Sequence, residues 1–249
     1  MRLQQLFEDV RSDQDFLMSA EKAWDMFLDE VKGHVELVGL DEFEAFDKSF
    51  ADILSTLSQY RYRVGTRDDY LPVSIIQSNN RNVLGRLVTT TIDHGDNQPI
   101  LSYRIEIYFD MSEELDMISI KDFYKTFEER FEHVFIHEYT HYLDSKRSKN
   151  TLGYLKRKRK DREEGKYIDT ASEYNAFYIQ MLKEIKNSFN RGIVIKLFKE
   201  TPTFENFESI VRVETHSGQM LSNLGDQYKR AFKKRLYQLY KFYYNKFVD

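Results

Sequence analysis

The chain has no cysteine and only three prolines among its 249 residues. Disulfide bonds and thiolate metal sites are therefore excluded, and any metal ion must be held by His, Asp or Glu. No stretch reaches the length of a membrane span, and the first residues lack the apolar core of a secretory signal. We therefore expect a soluble, cytoplasmic protein. Scarce proline and an aromatic content of 15% favour a well-packed, mostly helical body.

Charge is unevenly distributed along the chain, although the net charge is only −4. Residues 1–120 hold 11 Lys and Arg against 23 Asp and Glu, a net charge of −12, whereas residues 121–249 hold 26 against 18, a net charge of +8. We interpret the opposite charges as a sign that the two parts pack against each other. A basic face that binds an acidic partner is the alternative. The basic run from Lys156 to Lys160 can attract nucleic acid, but acidic residues follow it and a solvated linker is the preferred interpretation.

The residues that carry chemistry are His137, Glu138 and His141, in the pattern H-E-x-x-H. On a helix, two histidines four residues apart lie on the same face, so both imidazoles can bind one metal ion. Glu138 then projects beside the metal, where a carboxylate can take a proton from a bound water. The other positions from Val134 to Leu143 are uncharged, which fits a helix buried beneath a metal cleft. Hydrogen-bonded histidines with an ion-paired glutamate on a half-buried helix are the alternative.

Apolar periodicity predicts helices at both ends of the chain and a small sheet between them. A first helix covers 17–31 and ends at Gly33, a second begins at Asp41, and 219–247 form a long amphipathic stripe. Three strands are predicted, at 71–77, 83–92 and 101–109, in a largely antiparallel sheet. The helix that carries the H-E-x-x-H pattern is expected to begin near Lys121.

These elements predict an α+β protein that is predominantly helical. We divide it into a helical N-terminal region at 1–66, a core at 67–190 that holds the sheet and the metal helix, and a helical C-terminal region at 191–249. One compact domain is the alternative.

The third metal ligand is expected to be Glu173, because two histidines need a further His or carboxylate when cysteine is absent. Glu173 stands near the start of a predicted helix, and Thr170 precedes it at the spacing of a capping box, so Glu173 can instead cap that helix. Asp169 is the second choice of ligand. His133 is interpreted as a hydrogen-bonding wall residue or a spare ligand. Asp144 is interpreted as orienting a ligand imidazole or ending the helix.

The combination of three strands, the H-E-x-x-H helix and a later helix with Glu173 resembles the zincin metallopeptidases of the glutamate-ligand group. The later helix is similar to that of the ImmA/IrrE type, in which an E-x-N-x-F pattern, here Glu173, Asn175 and Phe177, precedes a leucine pair, here Met181 and Leu182. The resemblance covers about residues 70–190. The long basic linker between the ligands is atypical of the family, and neither helical end matches a part of it.

The resemblance implies one Zn²⁺ per chain on His137, His141 and Glu173, with Glu138 as the catalytic base. It also implies a zincin-like core and peptide hydrolysis, with the substrate laid along an edge strand, expected to be the strand at 101–109. His216, Tyr174 and Tyr178 are the candidates for stabilising the oxyanion, and a surface role is the alternative for His216. The alternative function is a structural or binding protein of a larger assembly that keeps zinc as a staple. A nucleic-acid-directed protein that uses the basic run is a third hypothesis.

Overall fold

The computed structural model describes residues 10–40, 48–66, 69–78, 84–92, 100–110, 117–147, 170–190 and 192–247. The fold is α+β and predominantly helical, as predicted. The helices are α1 (Val10–Leu37), α2 (Phe50–Leu57), α3 (Ile120–Arg147), α4 (Ala171–Asn190), α5 (Ile193–Glu200), α6 (Phe204–Glu214), α7 (His216–Ser222) and α8 (Asp226–Phe247). The strands are β1 (Lys48–Ser49), β2 (Arg61–Gly65), β3 (Tyr70–Gln77), β4 (Gly85–Ile92), β5 (Ile100–Phe109) and β6 (Met117–Ile118). None of the described helices combines the length and the apolar character needed to cross a bilayer.

The chain divides into two compact units. The sheet unit is Ala20–Tyr142, and the helical unit is Met1–Ser19 together with Leu143–Asp249. The boundaries fall inside α1 and α3, so local sequence patterns do not mark them. The division at 66 and 190 that the sequence suggested remains a prediction.

The main sheet has four strands in the order β2-β3-β5-β4, and β1 pairs with β6 in a separate two-stranded sheet. The three predicted strands are confirmed as β3, β4 and β5 within about two residues at each end. The expectation of a largely antiparallel sheet was only partly right, because β3 and β5 run parallel, with Val73 opposite Ile105. The fourth strand, β2, was not predicted from the sequence.

The core of the sheet unit is built on one apolar stripe of α3. Phe123, Phe127, Phe131 and Phe135 recur every four residues on that helix and are almost completely buried. The ring of Phe127 stacks on Trp24 of α1 at 5.9 Å between centroids. Valine and isoleucine side chains of β3 and β5 belong to the same cluster. This packing fixes the helix whose next residues, from His137, carry the metal motif.

The opposite face of the sheet carries a buried carboxylate. Glu106 of β5 lies between the core residues Ile105 and Ile107 and therefore projects to the other side. Its two oxygens accept hydrogen bonds from the side chains of Arg86, Arg104 and Tyr108. Burial raises the pKa of Glu106, but these three partners outweigh it and hold that pKa below its ordinary value.

Two predicted helix boundaries were wrong. α1 continues through Gly33 to Leu37 because Val35 extends its buried stripe, and Gly39, two residues after the helix, has a positive φ of 68°. The predicted helix at 219–247 is two helices, α7 and α8, which are interrupted after Ser222.

The start of α2 also differs from the prediction. α2 begins at Phe50, where Ser49 and Asp52 form a capping box. The predicted cap at Asp41 lies outside the described residues. The helix that buries Phe50, Ile53 and Leu57 is therefore a short one that follows strand β1.

Candidate metal centre

Helix α3 presents His137 and His141 on one face, as their spacing of four residues requires. Their Nε2 atoms lie 3.2 Å apart, and the planes of the two rings are nearly perpendicular, at 86°. Two imidazole nitrogens that bind one tetrahedral zinc ion, each at about 2.0–2.1 Å, lie about 3.3–3.4 Å apart. The observed separation therefore suits two ligands of a single ion. His141 is fully buried and His137 is half-buried.

Glu173 joins these two histidines in the structure. It belongs to the first turn of α4 and is 1% exposed. One ligand atom from each of His137, His141 and Glu173 lies within 4.8 Å of the other two, and the group can hold a metal ion. A tetrahedral zinc site requires these atoms to approach by on the order of 1 Å more. Two histidines and a glutamate form a donor set that catalytic zinc uses.

The N-terminal cap of α4 involves Glu173 as well. Thr170 Oγ1 accepts a hydrogen bond from the Glu173 backbone N–H at 3.2 Å. This bond uses the backbone of Glu173, whereas the metal group uses its side chain. The Thr170 half of the predicted capping box is therefore present, and the choice between a capping role and a ligand role for the Glu173 side chain remains a prediction.

The other residues considered as ligands or as a nucleic-acid site have different positions. His133 is half-buried on α3 and is not a member of the group that can hold a metal. Asp169 and the basic run from Lys156 to Lys160 lie outside the described residues.

The carboxylate of Glu138 is anchored to the sheet. Glu138 is 8% exposed, and its Oε2 accepts a hydrogen bond from the backbone N–H of Leu87 at 2.6 Å. In the described part of the chain no group donates to its Oε1. One oxygen of the carboxylate is therefore held in place, and the other is available to a reacting group.

The donor to Glu138 belongs to the edge strand β4. Tyr108 N–H donates to Leu84 C=O, so the hydrogen-bonded pairs of β4 with β5 fall on even-numbered β4 residues. The backbone groups of Leu87 and Thr89 therefore point away from β5, toward the free edge. The N–H of Leu87 donates to Glu138, and the N–H and C=O of Thr89 point toward the same free edge.

A glycine allows this contact. A Cβ atom at Gly85 would lie 2.4 Å from Val134 Cγ1 and 3.3 Å from Glu138 Cγ, so only glycine lets β4 approach α3 this closely. Gly85 and Leu87 were not predicted from the sequence to be part of the site. An isolated glycine inside a strand pattern was the available signal, because such a glycine often marks a close backbone approach.

The strand at 101–109 was expected to be an edge strand, and this expectation was wrong. β5 lies inside the sheet, since Ile105 pairs with Val73 of β3 on one side and with Leu87 of β4 on the other. The middle of β5 is therefore paired with a strand on each side and has no free edge. In the described residues β4 is the edge strand on this side of the sheet, and β4 is also the strand that contacts Glu138.

Asp144 follows His141 by three residues on α3, and its carboxylate contacts α4. The side-chain N–H₂ of Asn175 donates to both carboxylate oxygens of Asp144, at 3.0 and 3.1 Å. Asn175 follows Glu173 by two residues. The predicted role of Asp144 in orienting a ligand imidazole remains a prediction, but Asp144 does connect the end of α3 with the start of α4.

The three candidates for oxyanion stabilisation lie in the helical unit. Tyr174 and Tyr178 are completely buried, and burial raises the pKa of each phenol. His216 is exposed at the start of α7. The role of each remains a prediction.

Comparisons with known proteins did not identify a family. No protein-family model matches the chain, and no curated protein and no solved structure matches it. The resemblance to zincins therefore depends on the motif residues of the sequence.

Proposed function

We propose that the protein is a zinc-dependent metallopeptidase of the zincin type. The observation that supports this proposal most is the group of His137, His141 and Glu173, whose ligand atoms lie within 4.8 Å of one another. This donor set supplies three protein ligands and leaves the fourth position of a tetrahedral zinc ion open for water or substrate. A zinc ion held by these three residues would supply an acidified water as the nucleophile and would polarise the carbonyl group of the substrate.

Glu138 serves as the general base in this proposal. Its Oε2 is held by Leu87 N–H, which orients the carboxylate, while Oε1 takes the proton of the attacking water. The same carboxylate then returns the proton to the leaving amine. A base held by a backbone donor of a sheet loses little freedom when the substrate binds, which favours reaction.

The substrate is proposed to bind as an added strand on β4. The outward-pointing C=O of Leu87 and the N–H and C=O of Thr89 can pair with an extended peptide. This position brings the peptide backbone beside Glu138, because Leu87 contacts both. Backbone pairing also suits a peptidase, since every peptide offers the same main-chain groups.

Metal content is the first test. Chelator-washed protein, reconstituted with Zn²⁺, is expected to hold about one zinc per chain, and Glu173→Ala is expected to hold it much more weakly at matched folding. Glu200→Ala removes an exposed carboxylate of α5 and serves as the control. Wild-type protein that holds no zinc would rule out the metal centre.

Glu138→Gln separates an enzyme from a zinc-stapled protein. We expect this variant to keep its zinc and to lose cleavage of unfolded casein by at least about 100-fold, because general acid–base catalysis contributes about 10²–10⁴-fold. A variant that cleaves at the wild-type rate would refute the mechanism. Zinc-loaded wild-type protein that cleaves nothing, but loses stability when zinc is removed, would favour the structural role.

A further inference from the structure

The helical unit contains a buried ion pair between the two ends of the chain. Asp13 of α1 and Arg235 of α8 are each 3% exposed. Arg235 Nε donates to Asp13 Oδ2 at 3.1 Å, and Nη2 donates to Asp13 Oδ1, so the pair is bidentate. The guanidinium also lies 3.7 Å from the ring centroid of Tyr178. Such burial removes both charges from water and requires well-placed partners to offset the loss of hydration.

Arg235 has a further hydrogen bond, which leads toward the metal group. Its Nη1 donates to Asn175 Oδ1 at 3.3 Å, while the N–H₂ of the same amide donates to both carboxylate oxygens of Asp144. A cation on one side and an anion on the other fix the orientation of the Asn175 amide, since a flipped amide would lose all three bonds. Asp13, Arg235, Asn175 and Asp144 thus form a continuous polar chain.

Two residues of the polar chain, Asn175 and Asp144, lie close in the sequence to predicted metal ligands. Asn175 follows Glu173, a residue of the first turn of α4, by two residues, and Asp144 follows His141 by three residues on α3. The polar chain therefore joins the two helix ends that carry predicted ligands. Arg235 and Asp13 come from the terminal regions of the sequence and belong to none of its motifs.

We propose that Arg235 is a positioning residue of the metal centre. Through Asn175 it holds the first turn of α4 against the last turns of α3 at Asp144, and it thereby increases the affinity for zinc. This inference rests on the metal site of the proposed function and does not depend on peptidase activity.

The test compares Zn²⁺ dissociation constants of full-length variants, measured by competition with a chromophoric chelator. Arg235→Lys keeps a positive charge beside Asp13 but cannot bridge to Asn175 with a planar fork, and Asn175→Ala removes the bridge without leaving a buried charge unpaired. Each variant is expected to bind zinc about 10-fold more weakly, the lower end of the effect known for residues that orient metal ligands. The double variant is expected to bind no more weakly than Asn175→Ala alone, because Arg235 acts through Asn175.

The matched control is Glu184→Ala. Glu184 lies on the same helix about three turns after Glu173 and accepts hydrogen bonds from the N–H and Oγ of Ser217. Its loss is expected to lower thermal stability while zinc affinity stays within about twofold of wild type. Visible spectra of the Co²⁺-substituted proteins give a second readout, and they are expected to change in Arg235→Lys and Asn175→Ala but not in Glu184→Ala.

Three results would overturn the inference. The first is that Arg235→Lys binds zinc as tightly as wild type. The second is that the double variant binds zinc roughly 100-fold more weakly, the product of two independent effects. The third is that Glu184→Ala weakens zinc binding as much as Arg235→Lys and Asn175→Ala do. If wild-type protein binds no zinc, the metal centre and the inference both fail. If wild-type protein binds zinc and the variants bind it equally well, only the positioning role of Arg235 fails.

Discussion

The hydrogen bond between Leu87 N–H and Glu138 can be removed without changing Glu138. A proline at position 87 has no N–H to donate. The N–H of Leu87 takes no part in the pairing of β4 with β5, and an edge strand tolerates proline at such a position. We therefore expect Leu87→Pro to keep the sheet intact and to remove the anchor of the carboxylate.

The magnitude follows from the burial of Glu138. A hydrogen bond to a charged group contributes about 1.5–3 kcal/mol, and at 8% exposure water has little access to replace the lost donor. For a chain of this length, 1 kcal/mol corresponds to about 2–4 °C in melting temperature. The bond should therefore account for about 3–12 °C.

The assay is a double-mutant cycle on metal-free protein, with urea unfolding as the measurement. Leu87→Pro is made in the wild-type background and in Glu138→Ala, so that the loss of leucine packing cancels. We expect a coupling free energy of about 1.5–3 kcal/mol. Thr89→Pro is the control, because its N–H points to the same edge and is expected to show no coupling with Glu138→Ala.

Two outcomes would refute this reasoning. A coupling below about 0.5 kcal/mol would mean that the Leu87 N–H does not hold Glu138, since this is the usual error of additivity for independent sites. An equal coupling for Thr89→Pro would mean that proline disturbs β4 as a whole.

Two further predictions concern other buried groups. Because the pKa of Glu106 is held below its ordinary value, its stabilisation is present above the unfolded-state pKa of about 4.3 and is lost as pH falls through the lower folded-state pKa. Glu106→Gln should therefore lower the free energy of unfolding by about 1.5–3 kcal/mol at pH 7, measured by urea unfolding. Below about pH 4.3 the free energy of unfolding should fall less steeply with pH in this variant than in wild type. An unchanged pH dependence would contradict the ion-pair account. Tyr178→Phe should raise the free energy of unfolding by about 1 kcal/mol, because the described residues offer its buried hydroxyl no hydrogen-bond partner; a loss of stability in thermal unfolding would contradict this.

The parts of the site that depend on local periodicity could be predicted from the sequence. The placement of His137 and His141 on one face follows from the helical repeat alone, and the strand limits follow from side-chain alternation. Glu173 could be proposed because the donor set lacked a third member. Its approach to within 4.8 Å of the histidines, 32 residues after His141, depends on how the chain folds between them.

Strand order and the contacts around Glu138 could not be predicted in this way. A strand with alternating side chains looks the same whether it lies inside a sheet or at its edge, and pairing partners are chosen by long-range packing. The alternation at 101–109 therefore identified a strand and could not show that β4 covers one of its sides. The roles of Gly85 and Leu87 could not be predicted for the same reason, because each depends on how closely the backbone of β4 approaches α3.

The helical period and the chemistry of side chains were therefore enough to locate the metal motif on α3 and to propose its ligands. Tertiary structure alone decided which strand forms the edge, which N–H holds Glu138, and which residues hold the first turn of α4. The ion pair of Asp13 with Arg235 shows the reason, since its two members are 222 residues apart. A contact between such distant residues leaves no periodic trace in either local segment, and it forms only when the intervening helices pack.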